Sequence, residues 1–474
     1  MGVRAKPWMA ALAAAGIIAG CATTETTGDE VIVTGSTKAG DSVPPPPPPP
    51  SPVMSGGEAD GRVASSGELG GVLATSTSKD RSMSDGVIAP PGPMPEPRPD
   101  QPEPQAGMLT AGDYDDVLNP ALYKTYLDKA LQGDLSGKDL PYVDADQRIA
   151  INVVDRLGKP MPLARVSLKS ADGSPMFPLR TGADGTAYLY PNYDALSAGM
   201  TVSVTVDGAQ TLRQTLSAQR LTEGGALTFD MSKDAAPIQQ LDLLLTLDAT
   251  GSMSDEMRYL QVELVTILDR LKGSHPTLDI RAGFIVYRDN GDEYVVKQAP
   301  FTDDLSAFKT QLAEQSAQGG GDFPEAMQDA MKTGLDFEWR KDAIKVNMLV
   351  ADAPPHDKDI SATWDSALIS RSRGIHIVPL AASGVDDTAE FLMRGMAQLT
   401  GGRYMFLTDD SGIGNPHAEP TVDCYVVTRL DGLVLRVLKG LVTGARVEPD
   451  GDNVIRSVGN YRAGTCKIDD AQVG

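Results

Sequence analysis

The spacing of apolar and polar positions divides the chain into stretches of different period. From residue 240, Leu241–Leu247 is an almost unbroken apolar run, the pattern of a strand buried on both faces. Met257, Leu260, Leu264, Ile267, Leu268 and Leu271 then recur at helical spacing. The alternation continues with a strand at Asp279–Tyr287, helices over 305–315 and 324–334, and a strand over 344–350. It closes with a helix over 362–372, a strand over 374–380, a helix over 387–400 and a strand over 403–407. Strands alternating with helices predict an α/β fold, a doubly wound and mostly parallel sheet, over 236–410. Such sheets bind ligands beyond the carboxyl ends of their strands.

Residues 147–235 change period. Arg148–Val154, Ala164–Leu168, Thr186–Tyr190, Thr201–Val206 and Ala226–Phe229 alternate or are rich in β-branched residues, with Gly- and Asp-rich turns between them. This predicts a small all-β sandwich ahead of the α/β domain. Over 108–146, Leu118, Leu122, Tyr126 and Leu127 predict a helical connector, with Asn119 as a cap and Pro120 near its start. In a C-terminal extension, 411–474, an amphipathic helix is expected around 428–441, then a short hairpin.

Residues 21–107 carry a proline run from Pro44 to Pro50 and a second Pro-rich stretch from Pro90 to Pro104. Few apolar residues lie between, so a disordered tether is expected. Ahead of it, Arg4 and Lys6 precede an apolar stretch, about residues 8–19, too short to span a bilayer comfortably. That stretch ends in Ile18-Ala19-Gly20-Cys21 and resembles the bacterial lipoprotein signal. The resemblance implies a signal peptide over 1–20, lipidation of Cys21 and a lipid anchor in the bacterial cell envelope; Ala22 favours the outer membrane. Glu30–Ser36 resembles the TonB-box-like segment of outer-membrane transporters, a β-prone arm suited to strand addition at a sheet edge.

Charge narrows the partners. Lys and Arg number 42 against 64 Asp and Glu, a net charge of −22, which disfavours binding to nucleic acid. Besides Cys21 the chain holds only Cys424 and Cys466. In an exported protein they predict one disulfide, with two free thiols as the alternative.

The chemistry gathers at predicted strand ends. Asp248-Ala249-Thr250-Gly251-Ser252 follows the first α/β strand, and Asp352 follows the strand over 344–350. Asp322, in Gly319-Gly-Gly-Asp322-Phe-Pro-Glu325, opens a helix. Two hydroxyls at i and i+2 beside a carboxylate can meet a hard cation, which takes oxygen ligands. Together the three loops resemble the metal-ion-dependent adhesion site of von Willebrand factor A (VWA) and integrin I domains, with Thr250 for the usual first Ser and Asp322 for the usual Thr. The resemblance implies that Asp248, Thr250, Ser252, Asp322 and Asp352 hold Mg2+, with Mn2+ or Ca2+ as alternatives, and that a protein partner completes the shell with a carboxylate. Asp255 and Glu256 are expected only to favour the dipole of the following helix. Asp155–Pro160, Ala164–Val166, Thr181–Thr186 and Pro191 resemble the carboxypeptidase-regulatory-like sandwich, which implies a spacer or adhesion module.

The expected function is therefore adhesion or scaffolding at the envelope, with no small-molecule substrate. An envelope assembly factor working with a TonB-type or other machine is the alternative. Hydrolysis is disfavoured. The four histidines, His275, His356, His376 and His417, lie in no HExxH motif, and neither a Gly-x-Ser-x-Gly elbow nor a phosphate-binding P-loop occurs.

Overall fold

The computed structural model describes residues 103–321 and 323–467. Cys21, the segment Glu30–Ser36, most of the Pro-rich tether and Asp322 lie outside the described residues. No helix among the described residues is long and apolar enough to cross a membrane.

In chain order the structure begins with β1 (Thr110–Tyr114) and α1 (Pro120–Gln132). Next come β2 (Ile149–Val154), β3 (Arg165–Lys169), β4 (Pro175–Arg180), β5 (Thr186–Leu189), β6 (Thr201–Thr205), β7 (Leu212–Thr215), α2 (Ala218–Glu223) and β8 (Gly225–Asp230). These strands form two sheets, ordered β5-β2-β8 and β4-β3-β6-β7. Ile149, Ile151 and Val153 from one sheet share a core with Val166, Leu168, Val202 and Val204 from the other. The period of two in the sequence is the inward face of this sandwich.

The α/β part contains β9 (Gln240–Asp248), α3 (Met257–Ser274), β10 (Asp279–Tyr287), β11 (Val296–Thr302), α4 (Leu305–Ala313), α5 (Met327–Leu335) and β12 (Ile344–Ala351). It continues with α6 (Ile360–Arg373), β13 (Ile375–Ala381), α7 (Asp387–Thr400), β14 (Tyr404–Thr408), β15 (Tyr425–Arg429), α8 (Leu430–Thr443) and β16 (Arg456–Val458). One nine-stranded sheet runs β11-β10-β9-β12-β13-β14-β1-β15-β16. β10, β9, β12, β13 and β14 pair in parallel, whereas β11, β1 and β16 run antiparallel to their neighbours. Helices cover both faces. Leu243, Leu245 and Leu247 of β9 point toward α3, α4 and α8, and Leu244 points toward α5, α6 and α7.

Residues 110–114 fall within the stretch where the pattern predicts a helical connector, yet they form β1, between β14 and β15. Five residues containing Gly112 and Asp113 carry no alternation to reveal a strand. Gly112 is required there: a β-carbon would lie 2.5 Å from the Phe406 ring and 3.1 Å from Tyr425. The C-terminal stretch likewise belongs to the sheet, since β15 occupies 425–429 immediately before the predicted helix. Cys424 and Cys466 are joined by a disulfide. It holds the β17 (Tyr461–Arg462) and β18 (Thr465–Cys466) ribbon against β15.

Two buried ion-pair groups tie the pieces together. Arg371 of α6 pairs with Asp194 of the sandwich at 2.7 Å, beside a hydrogen bond of 2.8 Å from the Tyr190 hydroxyl to the Gln398 carbonyl. Arg394 of α7 is 1% exposed; it pairs with Asp116 at 2.7 Å and Glu390 at 3.1 Å and lies over the Tyr126 ring. Near the start of the described chain, the carboxylate of buried Glu263 accepts the N–H groups of Gly107, Met108 and Leu109, which aims the backbone into β1.

Candidate metal site at the carboxyl edge of the sheet

Asp248 ends β9, in register with Tyr287 at the end of β10, and Asp352 follows the end of β12. The parallel sheet thus brings two acidic side chains to adjacent strand ends. Asp248 Oδ1 accepts the Thr250 backbone N–H at 2.9 Å and the Thr250 hydroxyl at 2.7 Å. The Thr250 and Ser252 hydroxyl oxygens are 3.1 Å apart. Asp248 and Thr250 are buried, while Ser252 is exposed, so the array opens outward at its serine.

A glycine-rich loop closes against this turn. Gln318 donates its backbone N–H to the Ala249 carbonyl, and Gly251 donates to the Gly319 carbonyl. Gly319 and Gly320 have φ of 81° and 72°. A β-carbon on Gly319 would meet the Asp292 carboxylate at 2.5 Å, and one on Gly320 would meet Glu325 Oε1 at 2.8 Å and Thr250 at 3.2 Å. Only glycine allows this loop to lie so close to the acidic groups.

The pattern of Asp residues misses Glu325. It is buried, and its backbone N–H donates to the Pro354 carbonyl, which fixes it beside the Asp352 loop. Asp289 and Asp292 follow β10 on the neighbouring strand end. His356 Nε2 lies 2.7 Å from Asp289 Oδ1, and Gly320 donates its N–H to Asp292 Oδ2. The available signal was position, because each follows a strand end or opens a helix next to Asp248. Glu256 departs from its expected role. It is fully buried, 2.7 Å from His417 Nε2 and hydrogen-bonded by Ser383, so its charge serves a tertiary contact.

Electrostatically the edge is unbalanced. Burial, and next the charge of Asp352, raise the Asp248 carboxyl to about 7. Burial, then Asp248, Asp289 and Asp352, raise Glu325 to about 10. The nearby cation Arg288 is turned away, donating to the Ala249 and Ser316 carbonyls and lying over Tyr294. Asp248 Oδ2 and Glu325 Oε2 are buried without a well-formed hydrogen bond among the described residues. Buried acceptors in that condition are costly unless a cation or donor meets them.

These donors fit a hard divalent cation. They are all oxygen, and two hydroxyls and a carboxylate already share one turn. Among the described residues no three His, Cys, Asp or Glu side chains form a metal-holding group. A cation here would therefore rely on the Thr250 and Ser252 hydroxyls beside Asp248, with Asp352 and water.

The profile described as von Willebrand factor A domain matches residues 242–409. Those residues are a VWA domain. Part of the chain is similar in sequence to part of the alpha-protein kinase vwkA of Dictyostelium discoideum, 32% identical over 27% of this chain and 20% of that protein. An ariadne-like RING finger protein of Acanthamoeba polyphaga mimivirus is 30% identical over 35% of this chain and 18% of its own length. The chain thus spans about a fifth of the length of these relatives. Among solved structures, BatB of Bacteroides thetaiotaomicron aligns with 42% of this chain and 98% of its own, at 12% identity and a TM-score of 0.31. The pilus adhesin SpaC of Lactobacillus rhamnosus GG, in its open conformation, aligns with 42% of this chain and 28% of its own, at 14% identity and a TM-score of 0.28.

Proposed function

We propose that this VWA domain binds a protein partner through a divalent cation, Mg2+ by donor chemistry, and that the chain acts in adhesion or scaffolding at the cell envelope. The carrying observation is the Asp248–Thr250–Ser252 turn, an oxygen-only array whose carboxylate keeps one buried oxygen without a well-formed hydrogen bond. Asp248, Thr250, Ser252 and Asp352 would hold the ion, with Asp322 the further ligand by its place in the loop. The bound ion would supply a positive centre for a carboxylate offered by the partner. The acidic edge recommends this reading, because a dication neutralises carboxylates that otherwise raise one another's pKa. Binding rather than turnover fits a chain without a nucleophile elbow or zinc motif. The Ile18–Cys21 pattern supports attachment through a lipid on Cys21.

The test is calorimetry and thermal shift on the full chain with Mg2+ and Ca2+, beside Asp248→Ala and Asp322→Ala. Saturable binding that Asp248→Ala abolishes is expected. Wild-type protein that stays folded yet takes up neither ion at millimolar concentration would rule the reading out.

A further inference from the structure

At the opposite end of β12 from Asp352, roughly 20 Å along the strand, the sandwich and the VWA domain enclose a cleft of about 630 Å³. Its charged lining is Arg165, Arg180, Lys345 and Arg373 against one carboxylate, Glu338. Four cations converging in a chain of net charge −22 run against the composition. Lys345 is the second residue of β12 and only 4% exposed. Among the described residues its ammonium reaches one protein acceptor, the Arg373 carbonyl, at a long 3.5 Å. Its strand neighbour Asp242 is occupied by Arg281 and Arg340. Among the described residues, Lys345, Arg180 and Arg373 each lack an ion-pair partner, whereas Arg165 pairs with Asp207.

A buried ammonium is ordinarily paired or neutral. Burial, and next the charge of Arg180, lower Lys345 to about 8, so the cleft remains cationic at neutral pH. Arg180 is itself lowered by burial and by Arg165. The cations oppose one another; Asp342, with Asp242 at Lys345 and Asp207 at Arg180, offsets this only in part, and Arg180 and Arg373 otherwise donate to the Leu163 and Leu335 carbonyls. Trp339 adds an aromatic wall, with its indole N–H already donated to the Gly334 carbonyl.

We propose that this cleft is a binding site for a small phosphate-bearing ligand, held by Lys345, Arg180 and Arg373 with its organic part toward Trp339. A phosphate dianion matches three unpaired cations better than a single carboxylate, and arginine grips its oxygens in bidentate fashion. The site is independent of the metal edge.

The experiment titrates the full chain with inorganic phosphate, phenyl phosphate and acetate by calorimetry at low salt. Saturable phosphate binding is expected, tighter for phenyl phosphate, absent for acetate and weakened by added NaCl. Arg180→Gln and Arg373→Gln should each weaken it at least tenfold, and Lys345→Met should abolish it. Asp248→Ala should leave it unchanged. Arg373 is exposed, so its variant decides the matter even where Lys345→Met fails to fold. Folded wild-type protein that binds neither phosphate, or binding that all three variants retain, overturns the proposal.

Discussion

His417 Nε2 lies 2.7 Å from a carboxylate oxygen of Glu256, and its Nδ1 lies 2.8 Å from Asp409. The ring thus joins the loop after β14 to the residue that caps α3, next to the Asp248 turn. Ser383 Oγ is 3.2 Å from the same Nε2, but that nitrogen is already committed to Glu256, and the serine is buried. The arrangement is a clamp. Removing the imidazole leaves buried Glu256 with Ser383 but without its ion-pair partner, so His417→Ala should cost about 3 kcal/mol, read by denaturant unfolding. Ser383→Ala should change stability by less.

The same clamp gives a pH dependence. Burial lowers the His417 pKa, but the hydrogen bond and charge of Glu256, then of Asp409, outweigh it, and the folded value lies above the ordinary 6.5. The contribution is complete below about 6.5 and is lost as pH rises through the folded value. The melting temperature of wild-type protein should therefore fall relative to His417→Gln as pH is raised from about 6 to about 9. Parallel curves for the two proteins would refute the clamp.

Glu325 stands beside the proposed ion without being one of its named ligands. Glu325→Gln keeps the shape of the protonated carboxyl but cannot ionise when a cation arrives, so Mg2+ affinity should fall about tenfold, measured by calorimetry. Unchanged affinity would place Glu325 outside the field of the ion.

Arg394 is the central cation of a buried cage. Arg394→Met would strand Asp116 and Glu390 and should destabilise by about 3–5 kcal/mol. Adding Asp116→Asn should recover part of that loss, because one of the stranded charges is gone.

Gly112 lies under two aromatic rings. Gly112→Ala should cost about 1–3 kcal/mol through overpacking against Phe406 and Tyr425. Faster amide exchange would be confined to β1, β14 and β15.

Much of the fold was legible because β9, β12 and β13 are buried on both faces and mostly apolar, broken only by residues such as Asp242, Lys345, Asn347 and His376, and because α3 and α7 repeat at helical spacing. The edge and inserted strands were not. β11 contains Lys297, Gln298 and Pro300, and β1 contains Gly112 and Asp113, so neither shows a hydrophobic period. Of the candidate site, Asp248, Thr250 and Ser252 are adjacent in sequence and their shared turn follows from a strand running into a helix. Glu325, Asp289 and Asp292 come from other loops, and only the parallel register of the sheet brings them near. Residues 236–474 alone would lack β1 and so do not constitute the whole sheet.

The position of β1 also has a mechanical consequence. A pull applied ahead of residue 103 meets the Glu263 anchor and then β1, hydrogen-bonded on both sides in the interior of the sheet. The sandwich leaves the sheet after β1 and returns at β9, a loop spliced into the domain. Were the proposed partner bound at the metal edge, tension between it and the N-terminal approach would pass through β1, β14, β13 and β12 and bypass the sandwich. Under such a force the sandwich would be a passenger, and the pairing of β1 with β14 and β15 would bear the load.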